Sequence, residues 1–371
     1  MNRSERVGAL AGVAGVAALG AAGLARSTRR RPWRTDDQYA GIDFTTIYDD
    51  DASTVTTDDG LHLAVRSVDL GGLQPGEVPE YTVIFVHGFS LRMASWHFQR
   101  YRLAERWSHR RIRLVFFDHR GHGRSDPAPE ETSTIAQLGD DVAAVIRTVA
   151  PAGPVVLVGH SMGGMSLMAL ARRHSELFGP DGPVAGVALV ATAARGLTEA
   201  GLGRGLRNPL VDAFRLTVRR TPGIIEAGRD LTRLALEPVL VAASFGPHFY
   251  SPAAGRAVEK MIQNTRLDTI VNFLNALEVH DESLGVPVIA RVPSVVVCGD
   301  ADKMTPLPNS LHLYGDLGID SRLNVVRGAG HMVQMECPDE VTEAIVDLVA
   351  DARPARPQPP RRRWWQRKVQ V

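Results

Sequence analysis

The stretch Val155-Val156-Leu157-Val158-Gly159-His160-Ser161-Met162-Gly163-Gly164 constrains this chain more than any other part of it. An apolar, mostly β-branched run ends in Gly-His-Ser-Met-Gly, and a helix-forming run from Met165 to Arg173 follows. That is G-x-S-x-G between a strand and a helix, the context that makes the motif a nucleophile elbow. A serine on so sharp a turn sits in a strained backbone conformation, and neighbours at Gly159 and Gly163 lack the Cβ that would crowd it. The turn lifts the Ser161 hydroxyl off the sheet edge to a helix N-terminus, where backbone N–H groups favour developing negative charge. A Gly-rich turn with an incidental serine has the same spelling, so catalytic partners must be found elsewhere in the chain.

Around the elbow, strand and helix patterns alternate. Residues 53–70 read as a hairpin turning at Asp58-Asp59-Gly60, and Tyr81 to Val86 as a buried strand ending in His87-Gly88-Phe89-Ser90. A helix over about 95–108, a strand at 112–117, a charged Gly-rich loop at 118–126 and a helix over 133–150 lead to the elbow. Strands at 184–190, 292–298 and 323–326 follow, with helices from about 306 and over 338–350. Such alternation predicts an α/β protein with a mostly parallel, doubly wound sheet of about eight strands. The domain boundaries expected are a basic leader 1–34, a linker 35–52, a core of 53–193 with 292–351, a helical cap 194–291 and a tail 352–371.

His87-Gly88-Phe89-Ser90, Asp118-His119-Arg120-Gly121-His122-Gly123-Arg124-Ser125, Gly159-His160-Ser161-Met162-Gly163-Gly164, Gly299-Asp300-Ala301-Asp302 and Gly330-His331 stand in one order. In that order and spacing the chain resembles the α/β-hydrolase superfamily, with a serine esterase- or lipase-like elbow and an inserted helical cap. The resemblance covers roughly residues 53–350 apart from the insertion.

Ser161 needs a base, because a serine hydroxyl is a poor nucleophile at neutral pH. Among twelve histidines His331 is the candidate, in a Gly328-Ala329-Gly330 loop after the last strand. His160 is read as a packing and hydrogen-bonding residue under the elbow. The histidine needs an orienting carboxylate, and Asp300 and Asp302 both follow the strand before it. The resemblance implies that Asp302 faces the histidine and that Asp300 is a turn residue. An oxyanion hole is expected from the backbone N–H of Met162, the residue after the nucleophile, and by resemblance from that of Phe89. The 118–126 loop is expected to brace the site through Arg–Asp and His hydrogen bonds.

About one hundred residues, Ala194 to Arg291, separate the sixth strand from the acid strand. Helical patches at 210–219, 224–236, 254–264 and 267–279 are broken by prolines. Phe214, Phe245, Phe249, Tyr250 and Phe273 suit either a roof over a hydrophobic acyl group or a small core belonging to the cap.

The net charge of +1 conceals two basic ends on an acidic body. Residues 1–34 carry seven Arg and one Glu, and 352–371 carry six Arg and one Lys with no acid. A body lacking clustered cations argues against nucleic acid as partner. Two cysteines, Cys298 and Cys337, make no disulfide framework. Val7 to Ala25 is nineteen uncharged residues with five glycines, read as a membrane anchor, a cleaved signal or a disordered leader. As an anchor, its C-terminal basic cluster would put the body in the cytoplasm; a soluble cytoplasmic or an exported protein is the alternative. Arg361-Arg362-Arg363-Trp364-Trp365-Gln366-Arg367-Lys368 suits a second membrane contact or a solvated tail. No metal-ligand spacing is visible, and the chemistry expected needs no cofactor.

The function expected is a serine hydrolase cleaving carboxylic esters of apolar or lipid-like substrates through an acyl-enzyme. Ser161 at the elbow argues against the epoxide hydrolases and haloalkane dehalogenases of the same superfamily, which use an aspartate there. A thioesterase, a carbon–carbon bond hydrolase or a cofactor-free perhydrolase would use the same triad, and a membrane-tethered binding protein without activity is the reading from another class.

Overall fold

The computed structural model describes residues 36–199 and 237–352. Eight strands form one sheet in the order β1-β2-β4-β3-β5-β6-β7-β8. They are β1 (Asp51–Thr56), β2 (His62–Asp69), β3 (Tyr81–Val86), β4 (Ile112–Phe117), β5 (Val155–His160), β6 (Val184–Val190), β7 (Ser294–Gly299) and β8 (Ser321–Val326). The β1/β2 and β2/β4 pairs are antiparallel, and every later pair is parallel.

Central strands such as β3 and β5 are buried along their whole length, as expected when both faces of a parallel sheet are covered. Successive residues serve opposite faces. Val83, Phe85, Val156 and Val158 join one core with Trp96 and Ile345; Ile84, Val86, Val155 and Leu157 join the other with Leu138, Val142 and Met168. Helices α1 (His97–Arg106) and α10 (Pro338–Asp351) supply the first face, and α2 (Ile135–Val149) and α3 (Met162–Arg173) the second. Thr134 starts α2 by accepting the N–H of Gln137 on its hydroxyl, a side-chain cap of the usual kind.

The segment 35–52, expected as a linker, packs onto the body across its described residues. Ile47 is fully buried, and Tyr39, Phe44 and Tyr48 join the first core. The Asp37 carboxylate accepts bonds from the Ser251 hydroxyl and the Ala253 N–H, so this segment also helps to start a cap helix. Apolar residues scattered through short turns carry no period, which is why composition alone suggested a spacer.

Between β6 and β7 the described residues include α4 (Glu237–Ser244), α5 (Pro252–Gln263) and α6 (Leu267–Glu278). The helical patches expected at 210–219 and 224–236 lie outside the described residues. The ends of the insertion are drawn together earlier than its expected limit at 291. The Glu282 N–H donates to Ala194 O at 2.8 Å, and His280 Nε2 donates to Ala193 O at 2.9 Å. Beyond that pinch, α7 (Val286–Ile289) packs with the second core, burying Val286 and Ile289 fully. Helices α8 (Leu307–Leu317) and α9 (Val333–Glu336) complete the order.

No helix among the described residues is long and apolar enough to cross a membrane. The candidate anchor 7–25 and the tail from residue 353 lie outside the described residues.

Candidate active site

Ser161 stands between β5 and α3 with φ 53° and ψ −120°, a conformation L-residues rarely adopt. Strain of this kind costs about 1–3 kcal/mol and persists only where the surroundings hold it. Here its N–H donates to Val190 O at 2.9 Å, and the Thr192 hydroxyl donates to Ser161 O at 2.7 Å. A Cβ on Gly163 would overlap the carbonyl oxygen of Val86, so glycine lets α3 start against β3. The Ser161 hydroxyl makes no capping bond to α3 and lines a cavity.

His331 lines the same cavity. Its Nδ1 lies 2.8 Å from Asp302 Oδ2. Asp302 Oδ1 accepts the N–H groups of Met304 and Thr305 at 2.7 and 3.0 Å, while its Oδ2 also accepts the Thr305 hydroxyl at 2.8 Å. With both carboxylate oxygens held, Nδ1 carries the hydrogen and Nε2 is left as the basic nitrogen. Asp300, the other acid after β7, accepts the Gly328 N–H at 2.6 Å and ties down the loop preceding His331.

His160 is fully buried, and its Nε2 donates to His331 O at 3.0 Å. The elbow therefore holds the backbone of the histidine loop as well as the serine. Burial holds the His160 ring well below the usual histidine range, so it stays neutral and acts as a fixed donor.

Met162, at the first position of α3, has an N–H without an intrahelical acceptor. Phe89 lies on the cavity wall after Gly88, where an added Cβ would come within 3.0 Å of the Ser161 Cβ. That close approach brings the 88–90 loop over the serine. The loop is braced from the 118–126 segment: the Ser90 N–H donates to His122 Nε2 at 3.2 Å and the His119 N–H to His87 Nε2 at 2.9 Å, while His87 Nδ1 donates to Gly88 O at 2.8 Å. His87 and His122 are each driven down to about 3 by burial, so both remain neutral rings with one donor and one acceptor nitrogen. Asp118 beneath them accepts the N–H groups of Met93 and Arg124 and the Tyr48 hydroxyl. Arg120 is buried between Asp141 and Asp59, at 2.6 and 2.8 Å.

Two residues with a hold on the site carry no motif of their own. Thr305 follows Asp302 by three positions, and the Asp-x-Met-Thr spelling before a proline is the turn signal that could have revealed it. Glu336, five residues after His331, is buried and accepts the N–H groups of Gly330 and Gly246. Nothing in its immediate sequence, which runs on to Asp339 and Glu340, sets it apart.

The cavity measures about 150 Å3, and its apolar lining includes Leu91, Met165, Leu197, Leu240, Val258 and Ile262. Among the described residues, the insertion aromatics suited to a roof or to a cap core do not line the cavity. Phe245 and Phe249 stack on each other at 4.9 Å, Phe273 is buried in the second core, Tyr250 is exposed, and Phe214 lies outside the described residues. Among the described residues no group of His, Cys, Asp and Glu is arranged to hold a metal ion.

Residues 83–344 match the alpha/beta hydrolase family. The chain belongs to that family. It is 24% identical over 282 residues to a monoacylglycerol lipase of Mycolicibacterium smegmatis, spanning 73% of this chain and 90% of the lipase. It is 26% identical over 292 residues to the dihydrolipoyllysine-residue acetyltransferase component of an acetoin cleaving system from Pseudomonas putida, covering 76% of this chain but 65% of that protein. Among solved structures, an esterase from Exiguobacterium antarcticum superposes with a TM-score of 0.63 at 18% identity, covering 81% of this chain and all of the esterase. At that identity the likeness concerns the fold.

Proposed function

We propose that this alpha/beta hydrolase cleaves carboxylic esters with an apolar acyl group through an acyl-enzyme on Ser161. The observation that carries the reading is the His331–Asp302 bond at 2.8 Å beside a mainly aliphatic cavity that Ser161 and His331 line together. In the proposed reaction His331 Nε2 takes the Ser161 proton as the oxygen attacks the ester carbonyl. Asp302 holds the ring and stabilises the imidazolium. The backbone N–H groups of Met162 and Phe89 receive the developing oxyanion, each worth about 3–4 kcal/mol where such donors have been deleted. His331 then returns the proton to the departing alkoxide, and water, activated by the same nitrogen, releases the acid.

The lining that the described residues give the cavity is mainly aliphatic, which suits an apolar acyl group. The basic ends, 1–34 and 352–371, are assigned to membrane contact on the strength of their composition alone.

Two measurements test the reading together. A fluorophosphonate should label Ser161 in folded protein, and p-nitrophenyl esters of apolar acids should be hydrolysed, with the chain-length series reading out the acyl preference. Labelling without turnover across the series would redirect the triad to thioesters or carbon–carbon bonds. Absence of labelling would end the hydrolase reading.

A further inference from the structure

Glu336 takes no part in the proton transfers above, yet it touches both halves of the site. It is 7% exposed, at the end of α9. Its Oε1 accepts the Gly330 N–H at 2.7 Å, immediately before His331. Its Oε2 accepts the Gly246 N–H at 2.9 Å, in the turn that leaves α4. The two backbones are in direct contact there: a Cβ on Gly330 would overlap Gly246 N, and a Cβ on Gly246 would overlap Gly328 O. One more bond joins the same pieces, from the Met332 N–H to Ser244 O at 2.8 Å. Helix α4 in turn presents Leu240 and Ser244 to the cavity.

Stability gives a poor account of this arrangement. Burial pushes the Glu336 carboxyl up to about 7, with Asp302 adding to the rise and the two N–H bonds and His331 opposing it. A carboxylate taken out of water for two neutral donors gains little over an apolar side chain of the same size. Geometry explains it better. Only a group with two acceptor oxygens on one planar end can receive the Gly330 and Gly246 N–H groups together.

We infer that Glu336 is a positioning residue that locks the histidine loop to the α4 wall of the cavity, so that His331 alignment and acyl-length preference are set by one clamp. This rests on the esterase reading. Glu336→Gln keeps the shape but turns one acceptor into a donor facing an N–H, so one of the two bonds must be lost. Asp would be a methylene too short to span both.

The test compares full-length protein and its Glu336→Gln variant on p-nitrophenyl esters from acetate to decanoate, with rates taken per fluorophosphonate-labelled site. Hydrogen exchange is followed by mass spectrometry over segments 240–250 and 326–336. The expected result is a kcat lower by about 10- to 100-fold, the loss of one hydrogen bond to a charged group. A flattened chain-length profile and faster exchange in both segments, with the rest of the chain unchanged, should accompany it. Normalising to labelled sites removes any effect of a smaller folded fraction, so a merely structural Glu336 would leave both kcat and the profile as they were. That outcome, or faster exchange in one segment alone, would overturn the clamp. If Glu336→Gln does not fold, Gly246→Ala presses the α4 turn off Gly328 and against Glu336 Oε2 while keeping both carboxylate acceptors. It should lower kcat and flatten the profile together, and a change in one without the other would count against the inference. Wild-type protein that neither labels nor turns over would defeat the esterase reading instead, and the exchange comparison would still decide whether Glu336 couples the two segments.

Discussion

The Ser161 hydroxyl is left without a capping bond while its backbone is held on both sides, and the acid behind His331 is held as firmly. Asp302 accepts from Met304, Thr305 and His331 at once. Asp302→Asn would present an N–H to Nδ1 and favour the wrong tautomer. We expect kcat to fall by a factor on the order of 10^4 with KM little changed, measured on the best ester of the series. Ser161 and His331 were legible from their glycine-rich settings. The choice of Asp302 over Asp300 was not, because both follow the same strand; it came from the resemblance. Thr305 went unnoticed because a hydroxyl in a loop has no periodicity to announce it.

The pH behaviour of Glu336 is also a residue-scale matter. Its carboxyl is raised from 4.5 to about 7 in the folded protein, so between those values the folded state binds more protons than the unfolded one. Its contribution to stability is therefore fully present below about 4.5 and is lost as pH rises through about 7. Burial causes the rise and Asp302 adds to it, against the Gly246 and Gly330 N–H groups and His331, which lower it. The unfolding free energy of Glu336→Gln relative to wild type should drift in the variant's favour as pH rises across that window, by urea denaturation. A difference independent of pH would mean that the carboxyl is not raised.

At the scale of elements, the β5–α3 turn was readable almost to the residue, since steric demands leave few sequences able to make it. The contact behind Gly163 was not readable, because Val86 belongs to a strand nearly eighty residues earlier. Gly163→Ala would drive a methyl group into the Val86 carbonyl. Overpacking there should cost about 3 kcal/mol, read as a lower urea midpoint, with kcat falling as Ser161 shifts. An unchanged midpoint would mean that α3 can move away from β3 freely. The described part of the segment expected as a linker, 36–52, has the complementary property. Its short 3-10 turn at Thr46–Asp49 has neither a helical nor a strand period, and its burial comes from distant surfaces such as Phe98 of α1, against which Tyr39 and Phe44 pack.

Across the whole molecule, burial of histidine sets the acid limit. His87 and His122 are lowered to about 3, and His119 and His160 lie well below their usual range, all by desolvation. These rings take up protons on unfolding once pH drops below about 6.5. Stability present above that value is lost as pH falls, by up to ~1.4 kcal/mol per pH unit for each ring. Urea unfolding at about pH 7.5 and 5.5 should give a clearly smaller free energy at the lower pH. A flat profile would mean that these rings are solvated in the folded protein. The membrane assignment is tested at this scale too. Full-length protein is expected to pellet with membranes, and a variant lacking residues 1–34 and 352–371 to stay in the supernatant. Full-length protein found wholly in the supernatant would refute it.

Local physics, written in the order of residues, determined the strand–turn–helix around Ser161, the alternating α/β pattern and the glycine loop of His331, because each depends on neighbours within a few positions. Tertiary structure decided which faces the insertion turns to the cavity, that its described residues supply aliphatic rather than aromatic side chains there, and that Glu336 ties Gly246 to Gly330. Those outcomes depend on which surfaces meet once the sheet has closed, and a contact between distant parts of a chain leaves no period or spacing along it.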